Sequence, residues 1–484
     1  MSETIRKSQK LSDDCGVIQQ IDRISSLPEP IISHILSFLP TKSAVATGFV
    51  SKSWKHRWTG LTSFDFDDDW WRNRSKKSSR ARDNGAEDPN KMRFVDFVNM
   101  VLINLNTEIS MAKFRLKVNN RKFLSIHLNI WINFAIARKI RVLDLVMMSS
   151  EFWIDNWDHD LEFYLPSVLY NCGTLEVLKL QGPFLFKAPH VICLPKLVDL
   201  ELLSVKFDSA ESFRKLISGC EALQCLRIVR NHFTDGLQIC NISSLTLKRL
   251  VINIDFDECY CDQPGEYKLK IDTPAVEYLV LNDCVSDEIS MQGLTSLNEA
   301  VLDGRRLTIG LLEACDQGKV LEFPYKVIYN NIIPPPEGTD RFSVSFKWLT
   351  NLKIQKDRSA PLGYFMDLFD FCCQLKVLVI ENGFFGSCFH YQKRYWRDPI
   401  NVPRCLLYSL TEISYKGLEG TEDELAMLNF VLNHALVMKS VHIYSSVLSE
   451  KENNNLLKEL LEFSRVSRAC KITFDELAPM DVPG

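Results

Sequence analysis

Leu175-Glu-Val-Leu-Lys-Leu180, Leu197-Val-Asp-Leu-Glu-Leu202, Leu223-Gln-Cys-Leu-Arg-Ile228 and Leu247-Lys-Arg-Leu-Val-Ile252 are four copies of one pattern, apolar-x-x-apolar-x-apolar. The pattern returns at Val276/Leu279/Leu281 and more weakly at Leu297/Ala300/Leu302, so from 175 to 297 the copies start 22, 26, 24, 29 and 21 residues apart. Further copies stand at Ile140/Leu143/Leu145, Leu349/Leu352/Ile354 and Leu375/Leu378/Ile380, with gaps of 35 residues before Leu175 and 52 before Leu349. The last two apolar residues of a copy are two apart, which puts both on one face of a short strand, and the rest of the unit returns along the outside to begin the next strand. Stacked strands of this kind make a curved parallel sheet, so the fold class is α/β with an irregular solenoid at its centre. The two long gaps indicate irregular repeats or insertions, and Pro334-Pro-Pro-Glu-Gly338 reads as a loop.

The period falls within the 20–29 residues of leucine-rich repeats. Residues between the inward positions face the concave surface, and Lys179, Glu201, Arg227, Arg249, Tyr278 and Lys353 are the candidates there for holding a partner. Both charges mixed with apolar groups such as Val177, Val251, Val280 and Val301 suit a protein partner better than a phosphate backbone.

Ahead of the repeats, residues 21–66 read as three short helices. Ser26-Leu-Pro-Glu29 has capping-box form, and Ile31, Ile32, Ile35, Leu36 and Leu39 then recur at helical spacing. Pro40 stops this helix, Thr41 is placed to cap a second carrying Ala44 and Val45, and Ser51 a third that sets Trp54 and Trp58 on one face. So small a unit cannot bury all of its apolar faces internally.

The wording of this segment, Asp22-Arg-Ile-Ser-Ser-Leu-Pro-Glu29, Ile35-Leu-Ser-Phe-Leu-Pro-Thr-Lys42, Ala44-Val-Ala-Thr47 and Ser51-Lys-Ser-Trp-Lys-His-Arg-Trp58, resembles an F-box in the form common in large plant families. The resemblance implies a SKP-type adaptor as partner, with a cullin behind it, and assigns the adaptor contacts to Leu27, Pro28, Ile31, Ile35, Leu39, Val45, Val50 and Trp54. From Ile21 to Thr62 there are five Lys or Arg against two Asp or Glu, a balance that suits the acidic adaptor the resemblance implies. Gly48 and Phe49 depart from the family's usual small hydroxyl and β-branched residues. A glycine inside a helix costs about 1 kcal/mol relative to alanine. A position in the bend after the second helix would remove most of that cost, leaving adaptor affinity as the property the departure touches.

Residues 401–476 read as an α/β cap. Strands at Leu410–Tyr415, Val441–Tyr444 and Lys471–Asp475 alternate with helices opened by Thr421-Glu-Asp-Glu424, with a stripe of Leu425, Leu428 and Leu432, and by Ser449-Glu-Lys-Glu452, with Leu456, Leu457, Leu460 and Leu461. Val402-Pro-Arg-Cys-Leu-Leu407, Gly417-Leu-Glu-Gly-Thr-Glu422 and Ser464-Arg-Val-Ser-Arg-Ala-Cys-Lys-Ile-Thr-Phe-Asp475 resemble the FBD domain of plant F-box/LRR proteins. The expected organisation is a disordered tail over 1–20, the F-box over 21–66, a polar linker over 67–90, the solenoid over 91–400, the FBD domain over 401–476 and a tail over 477–484.

Composition narrows the function. With 484 residues, 46% hydrophobic and 24% charged, and a net charge of -4, the chain is globular and has no electrostatic footprint for nucleic acid. No run of about 18 apolar residues marks a membrane span, and the polar start reads as no secretion signal, so a soluble protein of the cytoplasm and/or nucleus is expected. A basic cluster from Arg72 to Arg82 reads as a solvated loop before a nuclear signal. The 15 cysteines are an odd number without a secretory context, hence reduced thiols. Neither Cys259-Tyr-Cys261 nor Cys372-Cys373 has a second half at zinc spacing, so no metal and no cofactor is expected. Phosphate loops, nucleophile elbows and zinc-helix motifs are missing, and His434 and His442 fit cap or surface roles, so no catalytic residue is assigned. What the resemblance implies is a non-catalytic substrate-recognition subunit of an SCF-type E3 ubiquitin ligase, whose repeats hold an unknown substrate protein. The alternatives are an interaction scaffold outside degradation and, more remotely, a small-molecule sensor.

Overall fold

The computed structural model describes residues 26–49, 54–69, 93–106, 108–119, 125–147, 162–230, 235–254, 267–304, 307–325, 327, 346–356, 362, 365–382, 396, 398–399, 401–445 and 450–476. The expected tails, Val50, nearly all of the linker, the 334–338 loop and the Cys259/Cys261 pair lie outside them.

Each copy of the apolar pattern is a strand, and the strands form one parallel sheet in chain order: β1 Ser63–Asp67, β2 Lys113–Val118, β3 Val142–Met147, β4 Val177–Gln181, β5 Asp199–Leu203, β6 Cys225–Arg230, β7 Arg249–Ile254, β8 Tyr278–Asp283, β9 Glu299–Gly304, β10 Val320–Pro324, β11 Asn351–Lys356, β12 Val377–Asn382, β13 Glu412–Lys416, β14 Ser440–Ser445 and β15 Lys471–Glu476. Burial alternates along them: in β4, Leu178 and Leu180 are buried while Val177, Lys179 and Gln181 are only half-buried. One face of the sheet therefore packs on the returning segments and the other stays open, unlike the parallel sheets that are covered on both sides. The first apolar residue of each copy, from Ile140 to Leu375, joins the core just before its strand.

Register is set by backbone groups at the entry to each strand. The Arg141 carbonyl accepts from the amides of Glu176 and Val177, that of Glu176 from Val198 and Asp199, that of Val198 from Gln224 and Cys225, and that of Gln224 from Lys248 and Arg249. The second residue of every copy thus clamps the next copy, and a one-residue slip would turn every leucine to the open face.

Several strands went unrecognised in the sequence. Leu61/Phe64/Phe66 and Met111/Phe114/Leu116 fit the same pattern and form β1 and β2; Leu61 has no copy at the repeat interval, whereas Met111 stands 29 residues before Ile140, inside it, with methionine in place of the opening leucine. The 52-residue gap holds a full repeat at β10, where Gly318 replaces the first leucine; a Cβ there would come within 2.9 Å of Leu321 Cδ2. The C-terminal α/β unit caps the solenoid by prolonging its sheet. Leu410/Ile413/Tyr415 and Met438/Val441/Ile443 repeat the pattern, and β13 to β15 continue the same sheet in register with β12. After a short helix at Arg404–Tyr408, the helix Glu422–His434 has the expected capping box between Thr421 and Glu424, but in Glu450–Glu462 Leu461 points to solvent. On the returning side a second parallel sheet joins Ile239–Ser243, Lys268–Asp272 and Glu288–Gln292, which the sequence reading did not anticipate.

At the N-terminal end, α1 Glu29–Ser37 and α2 Thr41–Thr47 precede a single 3-10 turn, Arg57–Gly60. The expected caps are not used. Pro28 and Pro40 occupy the N-cap positions, and neither helix has a side-chain cap, because proline's fixed φ leads the extended chain straight into the helix. The Thr41 hydroxyl instead accepts from the backbone amide of Asp65 at 2.7 Å, tying α2 to β1. Residues 50–53 lie outside the described chain, so the third predicted helix is seen only from Trp54, as a turn leading into the 3-10 segment.

Candidate protein-binding surfaces

The helices of the N-terminal unit are amphipathic with only one side covered. Ile32 and Leu36 of α1 are fully buried with Trp58 and Leu61. On the opposite side Ile31, Ile35, Phe38 and Leu39 are 46%, 41%, 74% and 40% exposed, and Phe49 beyond α2 is 87% exposed. That stripe of large apolar groups has no cover within the described chain, and such a patch marks a site for another protein. Pro28 lies in the open at the start of α1, while Leu27 and Trp54 are half-buried and pack against the core. Val45 departs from the expected set: it is buried because α2 turns this side toward the core cluster, so it is absent from the exposed stripe. Phe38 and Phe49 are the residues the sequence reading overlooked; both are aromatics of the kind that anchor interfaces, and Phe38 follows Ile31 and Ile35 at helical spacing.

The unit is held together internally and tied to the first strand of the sheet. Arg57 Nη1 donates to Glu29 Oε2 at 3.1 Å, Trp58 Nε1 to the Lys55 carbonyl at 3.1 Å, and Thr41 holds β1. Gly48 is the C-cap of α2, in the expected bend, and a Cβ there would come within 3.1 Å of the carbonyls of both Val45 and Lys55.

The second surface is the open face of the sheet. One row of residues crosses all fifteen strands in register: Asp65, Arg115, Asp144, Lys179, Glu201, Arg227, then Val251, Val280, Val301, then Glu322, Lys353, Val379, and finally Ser414, His442, Thr473. Charge alternates over the first six. Arg115 bridges Asp65 at 2.9 Å and Asp144 at 3.2 Å, Lys179 reaches Glu201 at 2.8 Å, and Arg227 reaches the other Glu201 oxygen at 3.2 Å. Burial pushes the Asp144 and Asp199 carboxyls above their usual range despite these cations, and the hydrogen bond to Glu201 raises Lys179. Individual pairs at a surface contribute about 0–1 kcal/mol, so the ladder orders the side chains more than it stabilises the fold.

The six residues expected to hold a partner divide accordingly. Lys179 and Glu201 are committed to each other, and Lys353 lies three strands beyond Tyr278, clasped between Glu322 at 2.9 Å and Glu381 at 3.1 Å. Glu201, Arg227, Arg249 and Tyr278 come together, lining a shallow cavity of about 340 Å3 with Asp199, Cys225, Val251 and Val280. Lys353 is separate from this cavity, and its charge is met by Glu322 of its own row and by Glu381, two residues further along β12. Among the described residues, Asp67, Asp68 and Asp69 are the one group that could hold a metal ion, but Lys117 and Asn119 already engage them. No helix of the described residues is long and apolar enough to cross a membrane.

Comparison with known families matches three models in succession: the F-box domain over residues 24–65, the repeats of "FBD-associated F-box protein At5g56370, LRR repeats" over 128–298, and FBD over 398–443. The chain carries an F-box, leucine-rich repeats and an FBD domain. Two Arabidopsis thaliana proteins with that make-up, the F-box/FBD/LRR-repeat proteins At4g26340 and At4g00160, are 27% and 26% identical to it. The matches cover 94% and 95% of this chain and 100% and 95% of theirs. The F-box match thus covers the unit with the exposed apolar stripe, the repeat match covers the cavity, and the FBD match covers β13 and reaches into β14.

Proposed function

We propose that this chain is the substrate-recognition subunit of an SKP-cullin-F-box ubiquitin ligase, with the F-box stripe docking on a SKP-type adaptor and the open face of the repeats holding the protein to be ubiquitinated. The observation that carries this reading is the stripe of Ile31, Ile35, Phe38 and Leu39 on the solvent side of α1. A contiguous exposed apolar face of this kind is the mark of a surface that another protein covers. The F-box is braced to β1, so an adaptor docked on it fixes the direction in which the open face points. The subunit needs no catalytic group or cofactor, because holding a substrate lysine near a ubiquitin thioester raises its effective concentration. It acts, on this reading, in the cytoplasm or nucleus.

The test is a reconstituted ligation assay with a SKP-type adaptor, a cullin scaffold and a protein captured by this chain. Ubiquitin is expected on the captured protein with the native chain and not with the Ile31→Glu, Ile35→Glu double variant, which keeps its capture. Point substitution is the right tool, since removing residues 21–66 would also remove β1 and lay bare the edge of the sheet. Capture with no ubiquitin transfer by the native chain would favour the scaffold reading instead.

A further inference from the structure

The charge ladder of the open face ends at an imbalance. Each cation of the row from Arg115 to Lys179 lies between acidic neighbours, whereas Arg227 has Glu201 on one side and Val251 on the other. Glu201 itself is shared, one oxygen toward Lys179 at 2.8 Å and the other toward Arg227 at 3.2 Å, and Asp199 leans toward Lys179 at 4.0 Å. Both carboxylates of the cavity are thereby used. Arg249, opposite Cys225 on the next strand, makes no ion pair with any described residue; its guanidinium lies 3.8 Å from the centre of the Tyr278 ring, a contact that uses none of its hydrogen bonds. The cavity lining holds two cations and two carboxylates, but Lys179 draws on both carboxylates from outside it and Arg227 shares Glu201, so Arg249 is left without an anion, over an aromatic ring at the border of the apolar run Val251, Val280, Val301.

We infer that this cavity is the anchor point for the bound protein and that it takes an extended segment carrying an Asp or Glu beside a branched aliphatic residue. The inference rests on the reading of the open face as the substrate-holding surface. A carboxylate pairs bidentately with the guanidinium of Arg249, stacked and held in place by Tyr278. The neighbouring aliphatic side chain covers Val251 and Val280, whose half-burial leaves apolar area to gain. The cavity volume of about 340 Å3 suits one or two side chains and not a folded element. A dianionic phosphate fits less well, because its second charge would face Glu201 and Asp199 across the same cavity, where the other cation, Arg227, is already paired with Glu201.

The experiment is selection of random displayed peptides on the full chain, followed by affinity measurement of the best synthetic peptide with its acidic residue kept, changed to the amide, or replaced by phosphoserine. Enriched peptides are expected to pair Asp or Glu with Leu, Ile or Val. Binding is expected to weaken about tenfold or more with the amide peptide and, equally, with Arg249→Gln, the size of one lost charge-assisted hydrogen-bonded pair, while Lys353→Gln leaves it unchanged. Tighter binding of the phosphoserine peptide, or no enrichment of acidic residues, overturns the proposal. Loss of binding with Val280→Asp but not with Arg249→Gln overturns the acidic anchor and keeps the open face as the binding surface. Indifference to both variants overturns the surface as well. Thermal melts of each variant beside the native chain separate lost binding from lost folding.

Discussion

Thr41 and Asp65 join the two working parts of this protein: the threonine hydroxyl at the start of α2 accepts the backbone amide of Asp65 in β1 at 2.7 Å, and Thr41 is 2% exposed. The F-box is thus a structural extension of the sheet. Any partner fixed on its apolar stripe is fixed relative to the repeat surface.

Thr41→Val keeps the shape and removes the acceptor, leaving a part-buried amide without its bond, at a cost of about 1 kcal/mol. Chemical unfolding should show that loss, with most of it recovered in Thr41→Ser. Equal stability of Val and Ser variants would mean that the tie contributes nothing.

Glu424 plays the corresponding part at the other end. Buried at 2% exposure, it accepts from the Tyr415 hydroxyl at 2.6 Å, from the amides of Thr421 and Glu419 at 3.1 and 3.2 Å, and from Asn382 Nδ2 at 3.4 Å, joining β12, β13 and the helix after them. Glu424→Gln sets an NH2 group against one side of donors, and should destabilise by about 2–4 kcal/mol although the change is nearly isosteric. Because β13 to β15 belong to the main sheet, native repeats and FBD domain are expected to melt together in calorimetry; two separated transitions would contradict a continuous sheet.

Asp144 gives a pH dependence. Burial pushes its carboxyl above the ordinary 3.8 despite Arg115, so it holds its proton more tightly folded than unfolded. The stability linked to that proton is fully present below 3.8 and is lost as pH rises through the folded value. Asp144→Asn escapes the loss, and its melting temperature relative to the native chain should improve as pH is raised from about 3 to about 7. A flat or falling difference would refute this account of the ladder.

Gly48→Ala tests the tight bend after α2. In an open helix alanine gains about 1 kcal/mol over glycine. Here the new Cβ meets two carbonyls at 3.1 Å and Trp58 Nε1 at 3.3 Å, so unfolding measurements should show a net loss.

Much of this was legible in the sequence, and the misses have physical causes. The leucine triplets from Leu175 to Leu302 announce strands because spacing by two writes one buried face directly into the chain. Leu61/Phe64/Phe66 carry the same signal but lack a neighbour at the repeat interval, and Gly318 erases the first position of its copy. In the C-terminal unit the strands at Leu410, Val441 and Lys471 were legible, but that they prolong the main sheet was not, because longer helical stretches separate them. The ion pairs of the open face depend on register: Glu201 and Arg227 are 26 residues apart, and their contact follows only once β5 and β6 are aligned. Thr41 and Ser26 read as caps because sequence does not reveal that the preceding prolines start both helices unaided.

The central claim is tested most directly by titrating a purified SKP-type adaptor into the full chain by calorimetry, with the native sequence and with Ile35→Asp on the solvent side of α1. The account predicts saturable one-to-one binding that the substitution abolishes, while the melting temperature of the chain stays unchanged. Adaptor binding that survives Ile35→Asp, or no binding by the native chain, would contradict it.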